Sequence, residues 1–136
     1  MQTERKVTVL LRIALIASGG AVGALLRYGV GGLVQRLGSG AFPIGTLAVN
    51  LTGCFLIGVL AATFAGPYMI RAEVRTFLMV GLLGAFTTFS TYGLETFGLI
   101  NERQLSLAVL NVGLSNIVGL AAVWLGYRLS EAWFGA

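Results

Sequence analysis

The chain has 136 residues, a mean hydropathy of +0.89 and charged side chains at only 10% of its positions. A soluble domain carries about 25% charged residues, so this composition excludes an ordinary soluble core and indicates an integral membrane protein. The net charge of +4 comes from basic residues scattered along the chain rather than clustered with aromatics, so nucleic acid is not expected as a partner.

Four segments are long and apolar enough to cross a bilayer as helices, which takes about 20 residues each. They run over about residues 9–33, 44–65, 76–100 and 105–128, and the connections between them are short. Pro43 stands just before the second segment, where its missing N–H costs nothing. The sequence therefore predicts an all-α protein in the lipid bilayer, with residues 1–136 in a single transmembrane domain.

The first segment has a basic start like that of a cleaved signal peptide, but Glu4 lies within that start, so we expect the segment to be retained. Gly19 and Gly23 are four residues apart and would let another helix approach closely. Arg27 lies near the end of the segment, where it either has a function or reaches the interface. Basic residues favour the side with both termini only slightly, so the preference for cytoplasmic termini is weak.

The second segment carries Thr46 and Asn50 one helical turn apart, which places both side chains on one face. A buried amide must find hydrogen-bond partners in hydrocarbon, because an unsatisfied one is costly. Two interpretations are open at this point. Asn50 either joins two helices through a hydrogen bond or directs its NH2 group at an anion in a pore.

The third segment contains the most unusual stretch of the chain, Gly84-Ala-Phe-Thr-Thr-Phe-Ser-Thr-Tyr-Gly93. Its hydroxyl side chains, among them Thr87, Ser90 and Thr91, suit a narrow polar path better than a surface facing lipid. Glycine beside threonine and serine also favours a break in the helix near Gly84–Tyr92. Such a break is tolerated only where the freed carbonyls meet protein, an ion or water.

Aromatic residues and one carboxylate accompany these hydroxyls. Phe86, Phe89 and Tyr92 recur every three residues, a spacing that suits ordinary packing but also a wall of positive ring edges facing an anion. Glu95 follows them, and a membrane carboxylate is usually functional. It would either couple transport to protons or pair with an arginine near the interface.

The fourth segment places Asn111 and Ser115 one turn apart on one face. Four short helices can hardly enclose both a polar path and its shielding, so we expect a homodimer. The sequence contains no histidine, nucleophile motif, phosphate-binding loop or cluster of metal-binding carboxylates, and Cys54 is its one cysteine. The chain is therefore not expected to be an enzyme.

The motifs of all four spans resemble the Fluc/CrcB family of small fluoride channels. The segments that carry the resemblance are Gly-Gly-Ala-Val-Gly-Ala-Leu-Leu-Arg27-Tyr, Gly45-Thr-Leu-Ala-Val-Asn50-Leu-Thr-Gly53, the stretch from Gly84 to Glu95, and Ser115 to Gly126. The resemblance implies an antiparallel homodimer of four-helix subunits with dual topology, a multi-pass protein of the bacterial inner membrane. The weak charge bias agrees with dual topology.

The resemblance also implies roles for particular residues. The fluoride pathway would be lined by Asn50, by Phe89 and Tyr92, and by the hydroxyls of Ser90 and Thr91, with Thr46 and Ser115 as further members. The family's membrane glutamate and first-helix arginine match Glu95 and Arg27. A Na+ at the dimer interface would be held by the backbone carbonyls of Gly84 and Thr87 from each subunit. Tyr92 and Gly119 depart from the family pattern, standing where other members have phenylalanine and serine.

A fluoride-selective channel that exports fluoride passively and so relieves its toxicity is the function that this resemblance implies. A proton-coupled small multidrug exporter driven by Glu95 is the first alternative. A membrane assembly subunit that transports nothing is the second.

Overall fold

The computed structural model describes the backbone of residues 2–66 and 70–134 and the side chains of residues 8–66 and 70–133. This part of the chain forms helices and no strands. The helices are α1 (Gln2–Leu37), α2 (Ile44–Ala65), α3 (residues 72–86), α4 (Phe89–Asn101) and α5 (residues 105–134). Helix α3 is π-helical over Thr76–Leu83, and α5 is π-helical over Leu114–Val118.

The four membrane spans are confirmed. Helical stretches long and apolar enough to cross a bilayer cover Thr8–Leu37, Ile44–Ala65, Ala72–Asn101 and Leu105–Trp133. The second has the predicted bounds, and the other three are longer than predicted. Arginine, glutamate and glutamine are good helix formers, so these helices continue past the ends of their apolar windows.

The break in the third span is narrower than expected and lies later than Gly84. Gly84 is helical, with φ −61° and ψ −32°, and α3 ends only at Phe86. Thr87 (φ −86°, ψ 156°) and Thr88 (φ −149°, ψ 117°) are extended, and α4 begins at Phe89. The two threonines form the break, and the predicted wall from Phe89 to Tyr92 is regular helix.

Glycines bring helices into backbone contact at several places, among them Gly31 and Gly45 between α1 and α2. A Cβ at Gly19 would lie 2.7 Å from the carbonyl oxygen of Phe77, and one at Gly23 would overlap that of Leu82. The close approach predicted at this glycine pair is therefore confirmed, and its partner is α3. Helices α2 and α5 meet in the same way at Gly58 and Gly126.

Both ends of α2 are closed by side chains from neighbouring segments. At its start, Gln35 Oε1 accepts from the Gly45 amide at 2.9 Å, and Gln35 Nε2 donates to the Phe42 carbonyl at 3.2 Å. At its end, Arg75 donates to the Phe64 carbonyl at 2.7 Å and lies over the Phe64 ring. The bonds to Gly45 and Phe64 satisfy backbone groups that a helix leaves free at its termini, and all of them help to hold α2 beside the break.

The core lies directly behind the break, where α2 meets α3. Val49, Leu83 and Phe86 form its buried cluster. Phe86 thus packs inside the subunit, which agrees with the interpretation of the aromatic triplet as ordinary packing. Phe89, by contrast, is 81% exposed on the surface of the single chain, so the break separates the triplet into a core residue and a surface residue.

Candidate functional site

Asn50 on α2 holds the break through two hydrogen bonds to one residue. Its Nδ2 donates to the Thr88 carbonyl at 3.1 Å, and its Oδ1 accepts from the Thr88 amide at 2.9 Å. The Oδ1 bond therefore satisfies the amide that loses its helical partner where α3 ends, and the Nδ2 bond ties α2 to the N-cap residue of α4. An amide NH2 carries two protons, so this clamp uses one and leaves the second for another acceptor.

Thr88 caps the helix that follows the break. Its Oγ1 accepts from the Thr91 amide at 3.2 Å, as an N-cap residue does. The same hydroxyl donates to Thr91 Oγ1 at 3.0 Å and lies 3.3 Å from Ser90 Oγ. The hydroxyls of Ser90 and Thr91, which were predicted to lie together, therefore form a cluster in which Thr88 contacts both. Sequence reasoning missed this role, although a threonine directly before an apolar helical run is a helix-start signal.

The carbonyls of Gly84 and Thr87 lose their helical donors at this point. In a continuous α-helix, the Gly84 carbonyl would accept from the Thr88 amide and the Thr87 carbonyl from the Thr91 amide. Those two amides instead donate to Asn50 Oδ1 and Thr88 Oγ1. Unwound backbone oxygens of this kind are the ligands that alkali cations bind within membranes, so the predicted pair fits a small cation.

One side of the break opens on a cavity of about 320 Å³. Phe89 and Tyr92 line it, with ring centroids 5.4 Å apart and planes tilted by 53°. The Tyr92 hydroxyl accepts from Asn116 Nδ2 at 3.3 Å. Ser115 Oγ is buried at the same cavity without a hydrogen-bond partner among the described residues.

The other side opens on a larger cavity of about 880 Å³. Arg27, Thr46, Thr91 and Glu95 line it. The Thr46 hydroxyl donates to Glu95 Oε1 at 2.7 Å, and Arg27 Nε donates to the Ala85 carbonyl at 3.1 Å. The interpretation that Glu95 pairs with an arginine is wrong, because its partner is Thr46 and the salt bridge found among the described residues joins Arg128 to Glu131.

The predicted residues thus form two groups that meet at the break. Asn50, Phe89, Tyr92 and Ser115 surround the small cavity with Gly84 and Thr87, whereas Thr46, Thr91, Arg27 and Glu95 line the large one. Thr88 lines both cavities, and Ser90 lines neither. Asn116 was not predicted as a site residue, and its contact with Tyr92 depends on how α4 and α5 pack.

Asn111 does not join Ser115 at the cavity, although the two lie one turn apart. It is 1% exposed, and its Nδ2 donates to Thr96 Oγ1 at 2.9 Å. Thr96 in turn donates to the Tyr92 carbonyl at 2.7 Å. Asn111 therefore ties α5 to α4 through an interhelical hydrogen bond, one turn of α4 away from Tyr92, where Ser115 lines the cavity.

The sequence profile of a family described as "CrcB-like protein, Camphor Resistance (CrcB)" matches residues 14–127. That range contains every residue that lines the two cavities. The chain belongs to the CrcB family. The family membership inferred from the motifs is therefore confirmed.

Relatives similar to this CrcB chain cover nearly all of it. A protein of Desulforapulum autotrophicum named "Fluoride-specific ion channel FluC" is 44% identical over 120 residues, which is 88% of this chain and 96% of the relative. A protein of the same name from Agrobacterium fabrum is 42% identical over 125 residues, 92% of this chain and 100% of the relative. A third, from Nitratidesulfovibrio vulgaris, is 41% identical over 115 residues, 85% and 93% of the two chains. All three are named as ion channels and not as enzymes.

Proposed function

We propose that this CrcB-family protein is a fluoride-selective channel that lets fluoride leave the cell passively and so relieves its toxicity. The observation that carries the proposal is the small cavity at the break, where every lining side chain is uncharged. A strongly hydrated anion needs donors to replace its water, whereas fixed positive charges would hold it too tightly to conduct. The choice of fluoride as the conducted ion rests on the names of the three relatives.

The pathway in this proposal runs through both cavities and past the break. The large cavity receives the anion beside the positive charge of Arg27 and the hydroxyls of Thr46 and Thr91. The anion then passes Thr88, which lines both cavities, and enters the small cavity, where it meets the second N–H of Asn50. There the ring edges of Phe89 and Tyr92 and the unpartnered hydroxyl of Ser115 replace water, while Ser90 supports the hydroxyl cluster.

The functional unit in this proposal is an antiparallel homodimer with dual topology, located in the bacterial inner membrane. Phe89 and Gly84 are both exposed on the single chain, near the middle of the third span, and a second copy would cover them. The carbonyls of Gly84 and Thr87 from two subunits would hold a Na+ between them. Bound there, the cation would supply positive potential for a nearby anion and fix the interface.

Fluoride efflux from liposomes tests this function directly. Purified protein is reconstituted with potassium fluoride inside, and valinomycin is added so that potassium can follow the anion. We expect rapid release at a fluoride electrode and far slower release of chloride from matched liposomes. If folded, dimeric protein releases no fluoride above protein-free liposomes, the proposed function is wrong.

The proton-coupled exporter is retained as a second candidate because Glu95 lies in the large cavity. We expect Glu95→Gln to conduct fluoride within about tenfold of the unmodified rate, since the glutamine oxygen can still accept from Thr46 and one neutral hydrogen bond is worth about 1 kcal/mol. Efflux is measured with and without an imposed pH gradient, with Glu102→Gln at the exposed helix end as control. Complete loss of transport in Glu95→Gln alone, or transport driven by the pH gradient, would favour the exporter.

A further inference from the structure

The two carbonyls proposed as cation ligands share one structural cause. Each is left without its helical donor because a nearby side-chain oxygen accepts that donor instead. Asn50 Oδ1 takes the Thr88 amide at 2.9 Å, which would otherwise bond to Gly84. Thr88 Oγ1 takes the Thr91 amide at 3.2 Å, which would otherwise bond to Thr87.

From these two bonds we infer that Asn50 and Thr88 are positioning residues for the cation site, acting through the backbone without touching the ion. This inference rests on the proposed function, because it concerns the cation of the proposed dimer. Removal of either acceptor lets an amide return to its helical carbonyl, and the cation must then compete with that hydrogen bond. Sodium binding should weaken although no ligand atom has been removed.

The side chain of Asn50 links the proposed cation site to the proposed anion path. Asn50 uses its oxygen to keep the Gly84 carbonyl open, and its second N–H is left for an anion in the small cavity that Asn50 lines. Asn50 therefore has two separable functions, one carried by oxygen and one by nitrogen. A substitution that keeps the oxygen should preserve the first function and lose the second.

Asn50→Leu and Asn50→Asp form the matched pair that separates them. Both remove the N–H donors, but only aspartate retains an oxygen that can accept from the Thr88 amide. Sodium chloride is titrated into purified protein at constant ionic strength, with N-methylglucamine replacing sodium, and the dimer fraction and melting midpoint are followed. We expect the half-saturating sodium concentration to rise about tenfold in Asn50→Leu, since a competing hydrogen bond is worth a factor of about 2 to 10 per carbonyl and a dimer contains two copies. Asn50→Asp should bind sodium at least as tightly as the unmodified protein, because it keeps the acceptor for the Thr88 amide and its carboxylate attracts a cation.

Thr88 supplies an independent test should Asn50→Leu fail to fold. Thr88→Val keeps the shape but removes the acceptor, so it should weaken the sodium response about tenfold, whereas Thr88→Ser should restore it. Thr63→Val is the control, because Thr63 bonds to Val59 and Ser130 at the far end of α2. It should leave the half-saturating concentration unchanged.

The outcomes distinguish this inference from the function on which it rests. Equal sodium responses in Asn50→Leu and Asn50→Asp, or in Thr88→Val and Thr88→Ser, would overturn the inference while leaving fluoride conduction intact. An unmodified protein that conducts fluoride but shows no sodium response would overturn it as well. The expected order of sodium responses in a protein that conducts no fluoride would support the inference and refute the channel.

Discussion

Asn50→Asp is expected to reduce fluoride efflux by at least about 100-fold while the protein remains a folded dimer. The substitution removes the N–H left over for an anion and places a carboxylate on the wall of the small cavity, beside Thr88. Two like charges about 4 Å apart repel by about 4 kcal/mol at an effective dielectric constant near 20. Each 1.36 kcal/mol added to a barrier slows passage tenfold, so repulsion alone accounts for the expected loss.

Initial efflux from liposomes measures this effect, with size-exclusion chromatography to confirm the dimer. Asn101→Asp is the matched control, because it makes the same chemical change at an exposed position at the end of α4. It should change the rate by less than about twofold, since exposed charges are screened by solvent and salt. Substantial efflux from Asn50→Asp would show that Asn50 acts only as a clamp for the break and does not face the ion.

The membrane spans could be predicted because hydropathy alone determines them. The second span was predicted to the residue, since Pro43 precedes it and Gly66 follows it. The break lies within the predicted range Gly84–Tyr92, at Thr87 and Thr88, but its exact residues were not predicted, because glycine was taken as part of its cause. Gly84 is helical, and the helix ends where Asn50 and Thr88 supply better acceptors for two backbone amides. A bond between α2 and the break is tertiary, so no local pattern could give it.

Most residues of the site could be predicted from the sequence, but many of their contacts could not. Helical spacing placed Thr46 and Asn50 on one face, and both do bond across to the third span, to Glu95 and Thr88. The same rule held for Asn111 and Ser115, since Asn111 bonds to Thr96 and Ser115 lies at the cavity that Tyr92 lines one turn away on α4, but only Ser115 reaches that cavity. Asn116 could not be linked to Tyr92 from sequence, since that contact depends on the packing of α5 against α4.

Gly58→Ala is expected to destabilise the protein by about 3 kcal/mol, the upper end of the usual cost of overpacking. A Cβ at Gly58 would overlap the Val123 carbonyl oxygen and lie 3.0 Å from the Tyr127 amide nitrogen. These are backbone atoms of α5, so no side chain can rotate away to relieve the clash. The axes of α2 and α5 must therefore separate, which loosens one wall of the small cavity.

The melting midpoint in detergent and the dimer fraction measure this cost. Gly98→Ala in α4 is the control, because a Cβ there meets nothing within 4 Å and alanine is the better helix former by about 1 kcal/mol. We expect Gly98→Ala to melt at or above the unmodified temperature and Gly58→Ala to melt well below it. Gly126→Ala should behave like Gly58→Ala, since its Cβ would overlap the Phe55 carbonyl oxygen on the opposite side of the same contact. Equal melting of all three variants would mean that α2 and α5 do not touch through their backbones.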